Sequence, residues 1–177
     1  MKTEFIVVRT NRAVATSFAL GLSMLAAGAQ TNPIPNRLID YNGFLTGAAE
    51  VGRLRAEHRV TEEKFIEMST EPSTVIFDAR SDDKYSRLHI KGARHLSFPE
   101  ITADGLAHIF VDKNTRILIY CNNNFAGEQN AFPTKMATAS LNLSTYIALY
   151  TYGYRNVYEL GPLLDVDKTK IELVPAR

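Results

Sequence analysis

The chain contains a single cysteine, Cys121, among its 177 residues, and this scarcity narrows the classes of protein it can belong to. One cysteine cannot form an internal disulfide, so the fold is not a small disulfide-stapled scaffold. The four histidines show no compact spacing of ligand residues, so a zinc site has no support and we expect no metal or other cofactor. The thiol is therefore free, paired with another molecule, or used in chemistry.

The chain also has almost no net charge. The chain has 20 basic and 19 acidic residues, and no segment interleaves basic with aromatic side chains. Nucleic acid is therefore not an expected partner. The acids Asp82 and Asp83 are neighbours at the start of a predicted helix and do not converge from separate segments, so glycosidase chemistry has no support.

Residues 1–29 have the pattern of a secretory signal peptide. Three basic residues precede an uncharged, apolar segment at 13–27, and 27–29 reads Ala-Gly-Ala, the small-x-small form of a cleavage site. The apolar segment is shorter than the roughly 20 residues that a membrane-spanning helix needs. We expect export to the bacterial periplasm or beyond and no membrane attachment after cleavage; a retained N-terminal anchor is the alternative. Cleavage removes three basic residues and one acidic residue, which leaves 148 residues with 17 basic and 18 acidic side chains.

The remaining chain divides into an N-terminal arm and a region of alternating strand and helix patterns. Residues 30–57 contain two prolines and three glycines with little sustained period, which predicts an extended or partly ordered arm without chemistry. From residue 58 onward, apolar runs such as 75–78 alternate with capped helical stretches, and residues 169–174 alternate like an edge strand. The alternation predicts an α/β domain with a mainly parallel sheet.

Cys121 follows the apolar run 116–120 and precedes three consecutive asparagines. Continuous apolar runs are typical of strands that are covered on both faces. In open parallel sheets, ligands bind beyond the carboxyl ends of the strands, where this thiol is expected to lie. The alternative is that Cys121 is a small buried hydrophobic residue without a role in chemistry.

Several short motifs, taken in order, resemble those of a rhodanese domain. They are Asp78-Ala79-Arg80, Tyr85, the stretch from His89 to Leu96, Ile119-Tyr120-Cys121, and the stretch from Gly153 to Gly161. The resemblance covers roughly residues 58–166 of a domain that we place at 58–177. It implies a three-layer α/β/α domain with a central, mostly parallel five-stranded sheet. It also implies that Cys121 carries sulfane sulfur as a persulfide, that Asp78 steadies the loop near the cysteine, and that Arg80 is structural.

The loop after Cys121 departs from the family pattern. The family has four residues and then an arginine, and the related phosphatase-type loop has the arginine one residue later, but these positions hold Ala126 and Gly127. About 22 residues, 122–143, replace a short loop. They form either a functional lid, in which the asparagines donate hydrogen bonds and Lys135 supplies the missing positive charge, or a structural excursion that leaves a binding module. The candidate substrate-binding residues are Asn122, Asn123, Asn124, Phe125, Gly127 and Lys135.

The resemblance implies sulfur transfer, and this reaction has a physical requirement. Only a thiolate attacks a sulfur donor, and a free cysteine has a pKa of about 8.5, so backbone N–H groups or a helix N-terminus must stabilise the anion. We expect transfer from thiosulfate or a persulfide to a thiol or cyanide, with a small sulfur compound or a thiol protein as partner. The alternative is a non-catalytic, rhodanese-like binding module in the periplasm. An arsenate- or phosphate-directed enzyme is disfavoured because neither the loop length nor the arginine placement fits.

Overall fold

Parallel strands form the centre of the domain in the computed structural model, which describes residues 36–176. The signal peptide expected at 1–29 lies outside the described residues. The helices are α1 (Tyr41–His58), α2 (Glu62–Ser69), α3 (Asp82–Arg87), α4 (Ala103–Ile109) and α5 (Leu141–Thr151). The strands are β1 (Arg59–Val60), β2 (Thr74–Asp78), β3 (His89–Ile90), β4 (Arg94–His95), β5 (Arg116–Tyr120), β6 (Phe125–Ala126), β7 (Val157–Leu160), β8 (Leu164–Asp165) and β9 (Leu173–Val174).

The central sheet has five strands in the order β1-β7-β5-β2-β4, and every pairing in it is parallel. β2 and β5 pair along their whole length, from Thr74 beside Arg116 to Asp78 beside Tyr120. This confirms the parallel sheet that the sequence pattern predicts and the five strands that the family resemblance implies. The carboxyl ends of these two central strands therefore lie at one edge, where Cys121 follows β5.

The side chains of β5 show why the sheet is covered on both faces. Ile117 and Ile119 belong to one hydrophobic cluster, and Leu118 and Tyr120 belong to a second. All four side chains are buried. Because successive side chains of a strand point to opposite faces, an unbroken apolar run requires a protein layer on each side of the sheet.

Helices supply these two outer layers. On one face, Val51 of α1, Leu106 of α4 and Tyr146 of α5 pack in the first cluster. On the other face, Phe65 and Met68 of α2 pack in the second cluster. Thr61 caps α2 by accepting a hydrogen bond from the Lys64 N–H, as the sequence predicts. The three-layer arrangement is confirmed.

The prediction of an extended or partly ordered arm at 30–57 is wrong for the described residues of this range. Residues 41–58 form the longest described helix, α1. Asp40 caps this helix by accepting a 2.8 Å hydrogen bond from the Gly43 N–H. The glycines disfavour a helix by about 1 kcal/mol each, but burial of Val51 against the domain stabilises it. Local propensity was therefore overridden by tertiary packing.

Two further boundaries differ from the prediction. The edge strand expected over 169–174 is reduced to β9, which pairs antiparallel with β3 outside the central sheet. The loop insertion expected to reach residue 143 ends earlier, because α5 begins at Leu141. Across residues 36–176, no helix combines the length and the apolar character needed to cross a membrane.

Candidate functional site

Cys121 lies directly after β5, and its residue is only 1% exposed. The next three residues, 122–124, form one 3-10 turn for which Cys121 is the N-terminal cap. The strand therefore delivers the thiol to the carboxyl edge of the sheet, where the chain leaves the core. This is the position at which parallel α/β sheets place their chemistry.

The Ser140 hydroxyl oxygen lies 3.4 Å from the sulfur of Cys121. The backbone N–H of Asn124 donates a 3.1 Å hydrogen bond to the Cys121 carbonyl and closes the turn beside this sulfur. Ser140 immediately precedes α5, so the positive end of the α5 dipole is also directed to this region. A hydrogen-bond donor and a helix N-terminus are the features that favour a thiolate over a thiol.

Asn124 fixes the turn that holds the cysteine. Its side-chain oxygen accepts hydrogen bonds from the Cys121 N–H at 2.9 Å and from the Asn142 amide at 3.0 Å. Its side-chain nitrogen donates to the carbonyl oxygens of Leu160 at 2.7 Å and Pro162 at 3.2 Å. The buried Asn124 therefore connects β5, α5 and the end of β7, and its role is to position the loop.

A cavity of about 180 Å³ adjoins Cys121. Its lining combines the strand end, the start of α5 and the N-terminal helix, and its polar members include Arg55, Arg59, Asn123 and Ser140. Asn142 also lines it, and the side-chain oxygen of this buried residue has no hydrogen-bond partner. The volume suits a small polar molecule beside the sulfur.

The charged wall of this cavity is centred on Glu159 of β7. Arg55 binds both carboxylate oxygens of Glu159, with distances of 2.6 and 2.9 Å. The hydrogen bond to Glu159 raises the pKa of Arg55 against the opposing effect of burial. Arg59 approaches the same carboxylate only to 3.9 Å and donates a 2.9 Å hydrogen bond to the Gly161 carbonyl. Two cations therefore share one acid.

Asp78 and Arg80 form a buried ion pair near the ends of β2 and β5. Their closest nitrogen–oxygen distance is 2.6 Å, and the two side chains are 0% and 1% exposed. Burial alone lowers the pKa of Arg80, but the hydrogen bonds and charge of Asp78 outweigh it, so the pKa is raised. Tyr120 donates to Asp78, and burial, followed by the Asp78 charge, raises the pKa of Tyr120 well above its ordinary value. The tyrosine therefore stays protonated.

The inserted loop is anchored to this ion pair. Arg80 donates a 3.0 Å hydrogen bond to the Ala131 carbonyl, and Lys84 donates a 2.9 Å bond to the Asn130 carbonyl. Phe132 is fully buried, with its ring 4.4 Å from the Arg80 guanidinium carbon and packed against Phe125. Asp78 and Arg80 therefore touch neither the sulfur nor its cavity, and they act by holding the loop and the strand end.

The three asparagines after Cys121 have different positions. Asn123 lines the Cys121 cavity. Its side-chain nitrogen donates a 2.9 Å hydrogen bond to the Lys135 carbonyl, and its side-chain oxygen accepts a 3.0 Å hydrogen bond from the Lys135 N–H. Asn124 is the structural link described above. Asn122 is buried with an unpartnered side-chain oxygen, and it lines a separate cavity of about 600 Å³ together with Lys135.

Three of the candidate substrate-binding residues lie away from the Cys121 cavity. Phe125 is packed in the second hydrophobic cluster between Tyr120 and Phe132, because its large apolar ring is buried with β6. Gly127 follows β6 with φ of 103°, in a turn against Val166 rather than at the sulfur. The exposed Lys135 lines the larger cavity and is not part of the lining of the Cys121 cavity.

Sequence reasoning missed the residues that surround the sulfur from other elements. These are Arg55, Arg59, Ser140, Asn142 and Glu159. Arg55 lies in the segment that was assigned to an arm, and Ser140 and Asn142 lie in the insertion. Arg59 lies at the start of the predicted domain, before the first motif. A signal existed in Glu159, since an acid inside a buried strand requires a cationic partner. Among residues 36–176, no cluster of three or more His, Cys, Asp or Glu side chains could hold a metal ion.

One known protein family matches this chain. The family model for the rhodanese-like domain matches residues 61–160, which is more than half of the chain. No curated protein matches. A solved rhodanese with anions from E. coli shares 21% identity at a TM-score of 0.40 and covers 58% of this chain and 98% of its own.

Two other solved structures have sequence identities and TM-scores close to these values. A rhodanese-like domain of the Alr3790 protein from Anabaena sp. has 18% identity, a TM-score of 0.46, and coverage of 67% of this chain and 79% of that one. A thiosulfate sulfurtransferase from Pseudomonas aeruginosa has 17% identity, a TM-score of 0.44, and coverage of 76% and 24%. On the family match over residues 61–160, the chain belongs to the rhodanese-like domain family.

Proposed function

We propose that this protein transfers sulfane sulfur through a persulfide on Cys121. The donor is thiosulfate or a persulfide, and the acceptor is a thiol or cyanide. The observation that carries the proposal is the setting of the cysteine: its sulfur follows β5, lies 3.4 Å from the Ser140 hydroxyl at the start of α5, and adjoins a cavity of about 180 Å³. These groups stabilise negative charge on sulfur, which both the thiolate and the persulfide carry.

The proposed reaction balances without an external oxidant or reductant. The Cys121 thiolate attacks the outer sulfur of thiosulfate, a sulfur–sulfur bond forms at Cys121, and sulfite leaves with the electron pair of the broken donor bond. An acceptor thiolate then attacks the terminal sulfur of the persulfide. The electron pair of that sulfur–sulfur bond returns to Cys121, which regenerates the thiolate. Ser140 is the donor of its hydrogen bond whenever the Cys121 sulfur is anionic.

Intact mass spectrometry tests this proposal. Purified protein should gain the mass of one sulfur atom after incubation with thiosulfate, and a thiol reductant should remove it. Iodoacetamide treatment before thiosulfate should prevent the gain, because this reagent alkylates the only thiol in the chain. Persistent absence of the reducible gain, with thiosulfate and with a low-molecular-weight persulfide, contradicts the proposal.

The second candidate is a non-catalytic binding module in the periplasm. It is favoured by the burial of Cys121, which is 1% exposed, and by Ala126 and Gly127 at the positions where related loops carry arginine. A thiol without solvent access reacts slowly with any donor. The same mass measurement separates the two functions, since a binding module gains no sulfur.

We also propose that the protein acts after export. The basic leader, the apolar segment at 13–27 and the Ala-Gly-Ala sequence at 27–29 support cleavage after Ala29. Protein recovered from the periplasm of an expressing bacterium should therefore have the intact mass of a chain beginning at Gln30. A soluble cytoplasmic form that retains Met1 contradicts this prediction.

A further inference from the structure

We propose that Arg55 and Arg59 form the anion site of the Cys121 cavity and take the place of the loop arginine that this chain lacks. The inference rests on the proposed sulfur transfer and deepens it, because it assigns the donor to a class: a small sulfur compound with an anionic oxo group, such as thiosulfate. The two arginines lie before residue 61, where the family match begins.

The end of α1 brings both arginines to the site. Arg55 lies in the last turn of α1, and Arg59 begins β1, which pairs with β7 so that Arg59 is beside Glu159. Both arginines line the cavity that Cys121 also lines. The segment from the last turn of α1 to the start of β1 therefore supplies the positive charge.

The charges in the cavity lining leave one cation in excess. Among the described residues that line it, Arg55 and Arg59 are the cations and Glu159 is the acid. Arg55 occupies both oxygens of Glu159, whereas Arg59 is 3.9 Å away at its nearest. The Arg59 side chain is 51% exposed and uses one guanidinium nitrogen on the Gly161 carbonyl, so its other N–H groups are available to a bound anion. Guanidinium groups match oxyanions with paired hydrogen bonds.

The cavity is large enough for a small anion. About 180 Å³ compares with the roughly 30 Å³ that one water molecule occupies in the liquid, so a molecule of a few heavy atoms fits. Thiosulfate has this size and carries its charge on oxygens at the end opposite the reacting sulfur. With the outer sulfur at Cys121, the oxygens are directed to the arginine side of the cavity.

Charged and neutral alkylating reagents test this site independently of sulfur transfer. Iodoacetate and iodoacetamide both alkylate the thiolate with loss of iodide, and they differ chiefly in charge. The ratio of their rate constants at Cys121, measured by intact mass at low ionic strength, therefore reports the electrostatic potential beside the sulfur. Because the chain has one cysteine, each mass increase reports that residue alone.

Two substitutions should shift the ratio in opposite directions. Arg59→Ala should lower the iodoacetate-to-iodoacetamide ratio by roughly three- to ten-fold, and Glu159→Gln should raise it, because the charge of the lining changes by one unit each time. Arg53→Ala is the matched control: Arg53 is on α1, is 67% exposed, pairs with Glu50 and does not line the cavity. High salt should shrink the differences.

The outcomes separate this inference from the proposed function. Ratios for Arg59→Ala and Glu159→Gln that equal the Arg53→Ala ratio overturn the anion site, whether or not Cys121 takes up sulfur. A fall caused by Lys135→Ala and not by Arg59→Ala also overturns it, because the cation is then the one in the inserted loop. Opposite shifts in a protein that gains no sulfur from thiosulfate or from a low-molecular-weight persulfide support the anion site and contradict sulfur transfer instead.

Discussion

Cys121→Ser should abolish the uptake of sulfur from thiosulfate and leave the domain folded. No other cysteine exists in the chain, so no second thiol can replace it. Serine is nearly isosteric with cysteine, and a hydroxyl at this position still faces the Ser140 hydroxyl. The buried oxygen therefore has a hydrogen-bond partner, and we expect a stability loss of about 1 kcal/mol.

The measurement is the intact mass after thiosulfate, with circular dichroism to verify the fold. Ser140→Ala is the matched control, since it changes the same contact from the other side but keeps the sulfur atom of Cys121. That control must still show the reducible gain of one sulfur. A reducible gain in Cys121→Ser as well places the sulfur elsewhere and rules out a persulfide mechanism at this residue.

Much of the fold follows from residue patterns that are local. The apolar run of β5 predicts a strand buried on both faces, and the structure places its side chains alternately in two clusters. The abrupt change to polar residues after Cys121 predicts a loop at the strand end, which the 3-10 turn at 122–124 confirms. Periodicity and capping residues report such features because each depends on a few neighbouring residues.

The composition of the cavity depends on contacts that are distant in sequence. Arg55 and Glu159 are 104 residues apart, and Cys121 and Ser140 are 19 apart. The glycines of α1 obscured a helix whose stability depends on packing against the domain. The insertion appeared as a polar segment, yet Phe132 within it is fully buried beside Arg80. Contacts between residues that are distant in sequence produce little periodic pattern in a single sequence.

Arg80→Met should strongly destabilise the domain. Methionine keeps much of the side-chain volume but leaves the Asp78 carboxylate buried without its counter-ion. It also leaves the Leu88 and Ala131 carbonyls without their hydrogen bonds to Arg80. Removal of one partner of a buried ion pair costs about 3 to 5 kcal/mol, which is a large fraction of a typical stability of about 5 to 15 kcal/mol. Urea unfolding should show this loss as a lower midpoint at an unchanged slope.

Arg87→Met is the matched control, because Arg87 pairs with Asp83 on an exposed helix surface where both side chains are about half exposed. Its urea midpoint should move far less.

The double substitution Asp78→Asn with Arg80→Met should be more stable than Arg80→Met alone, since it removes the buried charge that has no counter-ion. Release of the Ala131 carbonyl should also make the inserted loop easier to cleave with protease under native conditions. Equal losses for Arg80→Met and Arg87→Met contradict the structural role of the buried pair, and with it the view that Asp78 and Arg80 hold the loop beside Cys121.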